Sequence, residues 1–154
     1  MATSIEDIKN KYPIPVFYYR VTIGDENSIA FSEVSGLSFQ YETITYKDGL
    51  SYKDGPKYMP GFFNVVNLTL QKGVVKADDF LLKWFKTIRL NTVEKRDVSI
   101  DLLNEKGEPT VSWIAKDAFP TKLDAPAFNA SSNEVAIESL ELTATWLEVK
   151  NPAL

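Results

Sequence analysis

The chain has 154 residues, enough to bury one core and too few for two ordinary domains, so a single domain spanning residues 1–154 is expected. Its 17 basic and 21 acidic side chains leave a net charge of -4, which argues against binding nucleic acid by neutralising phosphates. With neither cysteine nor histidine, disulfides, thiolate catalysis, sulfur-ligated zinc and the commonest general base are all excluded, and no cofactor or metal is expected.

Residues 1–15 read as an N-terminal arm in which Ser4 caps a short turn through Lys9 before Pro13 and Pro15 end it. The arm has neither a basic region nor an apolar signal core, and no apolar run in the chain has bilayer length. The expectation is synthesis in the cytoplasm without a signal peptide and no transmembrane insertion. From Val16 to Ile23 aromatic and β-branched residues alternate as in a strand, Gly24 to Asn27 turns, and Ile29 to Val34 completes a hairpin.

The heptapeptide Phe31-Ser-Glu-Val-Ser-Gly-Leu37 then leads into residues 41–60, a stretch too polar and glycine-rich to be core. It holds four tyrosines and the doubled Tyr-Lys-Asp-Gly, at Tyr46 to Gly49 and Tyr52 to Gly55, and reads as a long projecting loop or hairpin. Tyrosine and methionine are enriched in interface cores, and strand edges left open must be hidden or paired. The candidate oligomer-interface residues are therefore Tyr41, Tyr46, Asp48, Tyr52, Asp54, Tyr58 and Met59 in the projection.

Phe63 to Leu70 is a strand whose phase slips, which a bulge at Val65-Val66 would repair. The spacing of Leu81, Trp84, Phe85 and Ile88 predicts one helix over about 78–90, capped by Asp78 or Asp79. Strands resume with Arg96 to Leu103 and, after the Asn104 to Gly107 turn, Thr110 to Phe119. Pro120, Pro126 and Asn129 to Asn133 form a loop-rich return, and Glu134 to Val149 is a last long strand with a second slip, assigned to a bulge at Glu138-Ser139. The whole is mainly β: an antiparallel β-barrel, or a tight β-sandwich, with one flanking α-helix.

Little in this pattern is chemistry. Asp97 and Asp101 share a strand face and could flank a glycosidic bond, but nothing nearby would raise either pKa, and a solvated face is the better reading. Glu42, Asp48 and Asp54 lack the adjacent oxygen-ligand series of a calcium loop, and the isolated glycines make no phosphate loop. A non-enzyme is expected, with a soluble β-barrel module for a small molecule or glycan as the alternative to self-association.

Phe31 to Leu37 resembles the signature of the tail tube proteins of contractile phages and the inner tube proteins of contractile injection systems. Further segments are similar in the same order. They are Met59-Pro60-Gly61, Asn67 to Val74, the tryptophan-containing helix Asp78 to Phe85, Arg96 to Leu103, the turn ending at Gly107, Trp113, Ala118 to Lys122, and Asn133 to Leu142. The chain departs at Thr143-Ala-Thr-Trp-Leu147, where members often continue with a His-Glu-Gly-like ending.

The resemblance implies a fold like that of the type VI secretion tube protein, and a structural subunit that catalyses nothing. It would assemble as hexameric rings stacked into a hollow tube inside a contractile sheath, in a virion tail or a released phage-tail-like particle. The partners implied are further copies of itself, the sheath protein, baseplate and spike-associated proteins, and a lumen cargo of protein or DNA. On this reading residues 41–60 stack rings. Glu33, Ser35 and Gly36 would sit at the subunit boundary, with Glu134 and Glu138 also in the interface.

Overall fold

The computed structural model of the chain describes residue 5 and residues 13–16, 18–24, 27–76, 78–89 and 92–151. These form β1 (Tyr19–Ile23), β2 (Asn27–Ile29), β3 (Glu33–Ser35), β4 (Tyr41–Tyr46), α1 (Ser51–Asp54), β5 (Lys57–Phe63) and β6 (Val66–Gly73). They are followed by α2 (Phe80–Phe85), β7 (Arg96–Leu103), β8 (Pro109–Asp124), β9 (Ile137–Ala144) and β10 (Trp146–Lys150). The expected turn from Ser4 to Lys9, apart from Ile5, and the tip of the first turn lie outside the described residues.

The body strands pair antiparallel along the path β2-β1-β7-β8-β9-β6-β3, with β10 also paired to β8, while β4 and β5 form a separate ribbon. The path does not close among the described residues, so of the two architectures expected it is the sandwich that forms. One layer is β2, β1, β7, the first half of β8, and β10; the other is the second half of β8, then β9, β6 and β3. Their inward residues make one core: Val21, Ile23, Val98, Ile100, Ala115 and Leu147 meet Val66, Leu68, Leu70, Leu140, Leu142 and Ala144. Burying each Leu or Ile among these stabilises the fold by roughly 1.5–3 kcal/mol.

The two layers share a corner. At Asp117 the chain takes a left-handed conformation (φ 52), which aspartate tolerates better than most residues, and the Asp117 amide donates to the Asp97 carboxylate at 3.0 Å. Directly alongside, Thr145 interrupts β9 and β10, and its amide donates to the Lys116 carbonyl at 3.0 Å. Both long strands therefore change layer, and inward phase, at one level: Ala115 and Ala118 are both buried, as are Ala144 and Leu147.

Several elements differ from the sequence expectation. The first hairpin is short, because β3 leaves β1 and pairs with β6 across the sandwich. The slip at Val65-Val66 is a junction between β5 and β6, with Val65 exposed. Strand β8 runs through Pro120 to Asp124, with the irregularity at Pro120/Lys122 taking up the missing proline donor. The second slip lies at Thr145, and Val135 and Ile137 are simply exposed.

Helix α2 is shorter than the spacing suggested, since only Leu81 and Trp84 of its apolar stripe are buried. The Trp84 indole donates to the Glu94 carbonyl at 2.8 Å, and the Arg96 guanidinium lies over the Phe80 and Trp84 rings. Asp79 occupies the N-cap position without a side-chain capping bond and pairs with Lys83 instead, while Asp78 reaches back to Lys72.

Among the described residues Lys72 is the one charged side chain in the core, with its ammonium 3.1 Å from Asp78 and 3.0 Å from Glu138. Burial alone would lower its pKa, but the hydrogen bonds it donates to Glu138 and Asp78 and their negative charge outweigh that and hold the ammonium above its usual value of 10.5. A raised lysine pKa stabilises the fold fully below the unfolded value, and that contribution disappears as pH rises through the folded value. Denaturant unfolding between pH 9 and 12 should therefore show a stability loss beginning above about pH 10.5. Lys72→Met should flatten the Lys72 part of that loss and cost about 3 kcal/mol at neutral pH, because it leaves Glu138 without its cation.

Gly36 ends β3 with φ +92, and a Cβ there would stand 2.1 Å from the Asn67 carbonyl oxygen. Strand β3 can approach β6 this closely only without a side chain. Gly36→Ala should lower unfolding stability by roughly 2–5 kcal/mol, measured as a drop in denaturation midpoint with the slope unchanged.

Candidate assembly surface

The β4–β5 ribbon uses local turn chemistry to reach away from the body. The Asp48 carboxylate accepts from the Leu50 amide at 2.9 Å, its own amide donates to the Ser51 hydroxyl at 2.8 Å, and α1 ends at Gly55 with φ +75. Cross-strand pairs Ile44 with Met59, Thr45 with Tyr58 and Tyr46 with Lys57 set the register, and a bulge between Tyr41 and Thr43 adds twist. Gly61 lies where a Cβ would press on Ile44 and the Glu42 carbonyl.

Every residue of β4 is exposed, and so are Leu50, Tyr52, Tyr58, Met59 and Phe62, the last at 83%. A two-stranded ribbon with no packed face is marginal in water. Among the described residues an aromatic root anchors it. Phe63 packs on Trp146 at 4.6 Å between ring centroids and on Tyr41 at 5.1 Å, and Phe39 meets Trp146 edge-on at 6.4 Å. Trp146 faces outward because the break at Thr145 reverses the alternation that buries Leu140, Leu142 and Ala144.

The residues singled out from sequence separate into three groups. Tyr41, Tyr46, Asp48, Tyr52, Asp54, Tyr58 and Met59 all lie on the ribbon. Glu33 and Ser35 point outward from β3, which pairs only with β6 among the described residues, and Gly36 is explained by Asn67 of its own chain. Beside them the Tyr19 hydroxyl donates to the Phe31 carbonyl at 2.6 Å; burial, and then the Glu33 charge, push its pKa up. Glu134 is exposed at the far end of the sandwich, whereas Glu138 is committed to Lys72.

Strand alternation places Phe63 and Trp146 toward the core, but Trp146 faces outward and gathers Phe63 and Phe39 into the root; Phe39 and the exposed Ile44, Leu50 and Phe62 carry no periodic signal. The carboxylates whose spacing suggests a glycosidic site, Asp97 and Asp101, have structural roles. Asp101 accepts from Ser112 at 2.6 Å and from Ser99 at 3.2 Å and pairs with Arg20, while Asp97 holds the Asp117 corner and Lys116. Among the described residues no three acidic side chains gather as a metal site. No helix among them is long and apolar enough to cross a membrane.

Residues 15–148 match the family model described as T4-like virus tail tube protein gp19. The chain belongs to the tail tube protein family. It is similar to a chain of the sheath-tube complex of an extracellular contractile injection system, PVC, in the extended state. The two share 40% identity over 97% of this chain and 99% of that one, with a TM-score of 0.89. It is also similar to a chain in the tube terminating cap of the anti-feeding prophage, AFP, at 41% identity, 98% and 99% coverage and a TM-score of 0.85. A chain of the AFP baseplate, solved with 6-fold symmetry imposed, is 26% identical over 94% of this chain and 99% of that one, with a TM-score of 0.82. Among the curated proteins none matches.

Membership makes this chain a structural tube protein and not an enzyme, and sets aside the ligand-binding module. The root then becomes the point at which the ribbon is tuned. Trp146→Ala should leave the body folded but remove two aromatic contacts worth about 0.5–1.5 kcal/mol each, so ribbon amides should exchange with solvent about 5- to 100-fold faster while core amides do not change.

Proposed function

We propose that this tube protein builds the inner conduit of a phage-tail-like injection particle, in rings of six copies stacked head to tail inside a contractile sheath. The observation that carries the stacked arrangement is the β4–β5 ribbon: a row of aromatic and aliphatic side chains that its own chain leaves uncovered. Stacking rings without limit requires a heterologous contact, in which different patches of one subunit meet. A ribbon reaching out of one ring and lying on the next provides half of such a contact, with Tyr41, Tyr46, Tyr52, Tyr58 and Met59 as its apolar part.

The likeness to a chain of a sheath-tube complex supports a sheath as the outer partner, and the likeness to a baseplate chain of 6-fold symmetry supports both the ring size and a baseplate neighbour. The sheath-tube relative belongs to a contractile injection system described as extracellular, which supports assembly into a particle that acts outside the producing cell. Glu33, Ser35 and Gly36 lie on the outermost strand of one layer and are assigned to the boundary within a ring. The conduit carries a macromolecular cargo, protein or DNA, past this wall of subunits.

The deletion of Lys47 to Lys57, bridged by two glycines, tests the stacking role. Circular dichroism should show an intact sandwich, and electron micrographs of negatively stained particles should show rings or short stacks and no long tubes. Tubes of normal length would refute the assignment.

A further inference from the structure

The ribbon needs a receptor, and the sandwich carries a second uncovered apolar surface where a stacking receptor belongs. The ribbon joins the body at Val66, the first residue of β6; at the other end of the same strand, beyond Gly73, the apolar residues Val74, Val75, Val135 and Ile137 are exposed together. Eight strand residues separate the two sites by about 25 Å, the length of the sandwich. This patch is continuous: Gly73 is opposite Ile137, the Val74 amide donates to the Ala136 carbonyl at 2.9 Å, and a Cβ at Gly73 would touch the Val135 side chain.

The patch is also held rigid from beneath. Lys72 ties the end of β6 to Glu138 on β9 and to Asp78 on the segment entering α2, so the two arms bearing Val74, Val75, Val135 and Ile137 are clamped by one buried ammonium. Loose apolar loops bind poorly because ordering them opposes association; a clamped pair of arms has little left to order.

We infer that Val74, Val75, Val135 and Ile137 form the surface on which the β4–β5 ribbon of a second copy, in the adjacent ring, is seated. This rests on the stacking role of the ribbon proposed above. Three observations select that occupant. The two surfaces sit at opposite ends of one strand, as an open head-to-tail stack demands. Both are apolar and left uncovered by the described residues of their own chain. Each also carries both signs of charge: exposed Lys76 and Glu134 flank the patch, with no ion-pair partner among the described residues, and the doubled Tyr-Lys-Asp-Gly brings Lys47, Asp48, Lys53 and Asp54 to the ribbon's tip. The repeated motif thereby gains a use, as two copies of one tyrosine-and-charge pair placed against a single strip.

The absence of cysteine allows a direct test. In assembled tubes under mild oxidation, the double variant Tyr58→Cys with Val135→Cys, and separately Tyr52→Cys with Val75→Cys, should give a ladder of cross-linked species extending beyond dimers. Each subunit would then be joined through both sites, and each single variant should give no ladder. All four positions are exposed, so the substitutions leave the core intact. If neither pair gives a ladder while Tyr58→Cys is shielded from maleimide in the tube and Val135→Cys is not, the receptor is elsewhere and the stacking role stands. If Tyr58→Cys reacts as fast in the tube as in the free subunit, the stacking role fails as well.

Discussion

The corner at Lys116-Asp117 and Thr145 governs most of what this molecule does. Two strands too long for either layer must pass from one to the other, and they do so side by side, with one left-handed aspartate and one interrupted ladder. Each crossing shifts the alternation by one residue, so Ala118 and Pro120 take over inward positions from Ala115 in β8, and Leu147 takes over from Ala144 in the last strand. The same shift turns Trp146 outward. A large aromatic ring on the outside of a sheet is a post, and Phe63, Phe39 and through Phe63 also Tyr41 gather on it.

Asp97 shows how the polar side of the fold serves this geometry. Its carboxylate holds the Asp117 amide and pairs with Lys116, which in turn pairs with Glu148 on β10. These groups are partly exposed, so the pairs contribute little to stability through charge alone. Their effect lies in direction: they fix which way β8 bends. Asp101, with Ser99, Ser112 and Arg20, does the same across β1, β7 and β8. Carboxylates spaced to suggest paired catalytic acids are thus consumed by hydrogen bonds that position strands.

How far the sequence could be read depends on where apolar residues are buried. The strands at Arg96 to Leu103 and in the first part of β8 were legible because alternation there reports a core made by the chain itself. Treating the slips at Val65 and at Val135 and Ile137 as bulges rests on the same assumption, that every apolar residue in a strand pattern faces its own core. The structure leaves all three exposed. The projection was legible as a projection from its glycines and tyrosines, but its root was not, since Phe39, Phe63 and Trp146 are brought together by the corner and by no local period. Gly36 was legible as a place that excludes a side chain; the carbonyl that excludes it, from Asn67, is a tertiary fact.

The ribbon's weakness before assembly also has a consequence for order of events. A two-stranded element held at one end is only partly ordered by its own bonds, so a free subunit offers neighbours a flexible row of tyrosines with lysines and aspartates among them. That mixture keeps an exposed apolar edge soluble, as charge on strand edges does elsewhere. Seating the ribbon on a neighbour, as proposed, would order it at an entropic cost that a single contact repays poorly. Within a ring, neighbouring ribbons would be ordered together against the same partner ring, and each one seated brings the others within reach at high effective concentration. Stacking on this basis is weak between single subunits and strong between rings, which favours long tubes of complete rings over disordered chains of monomers.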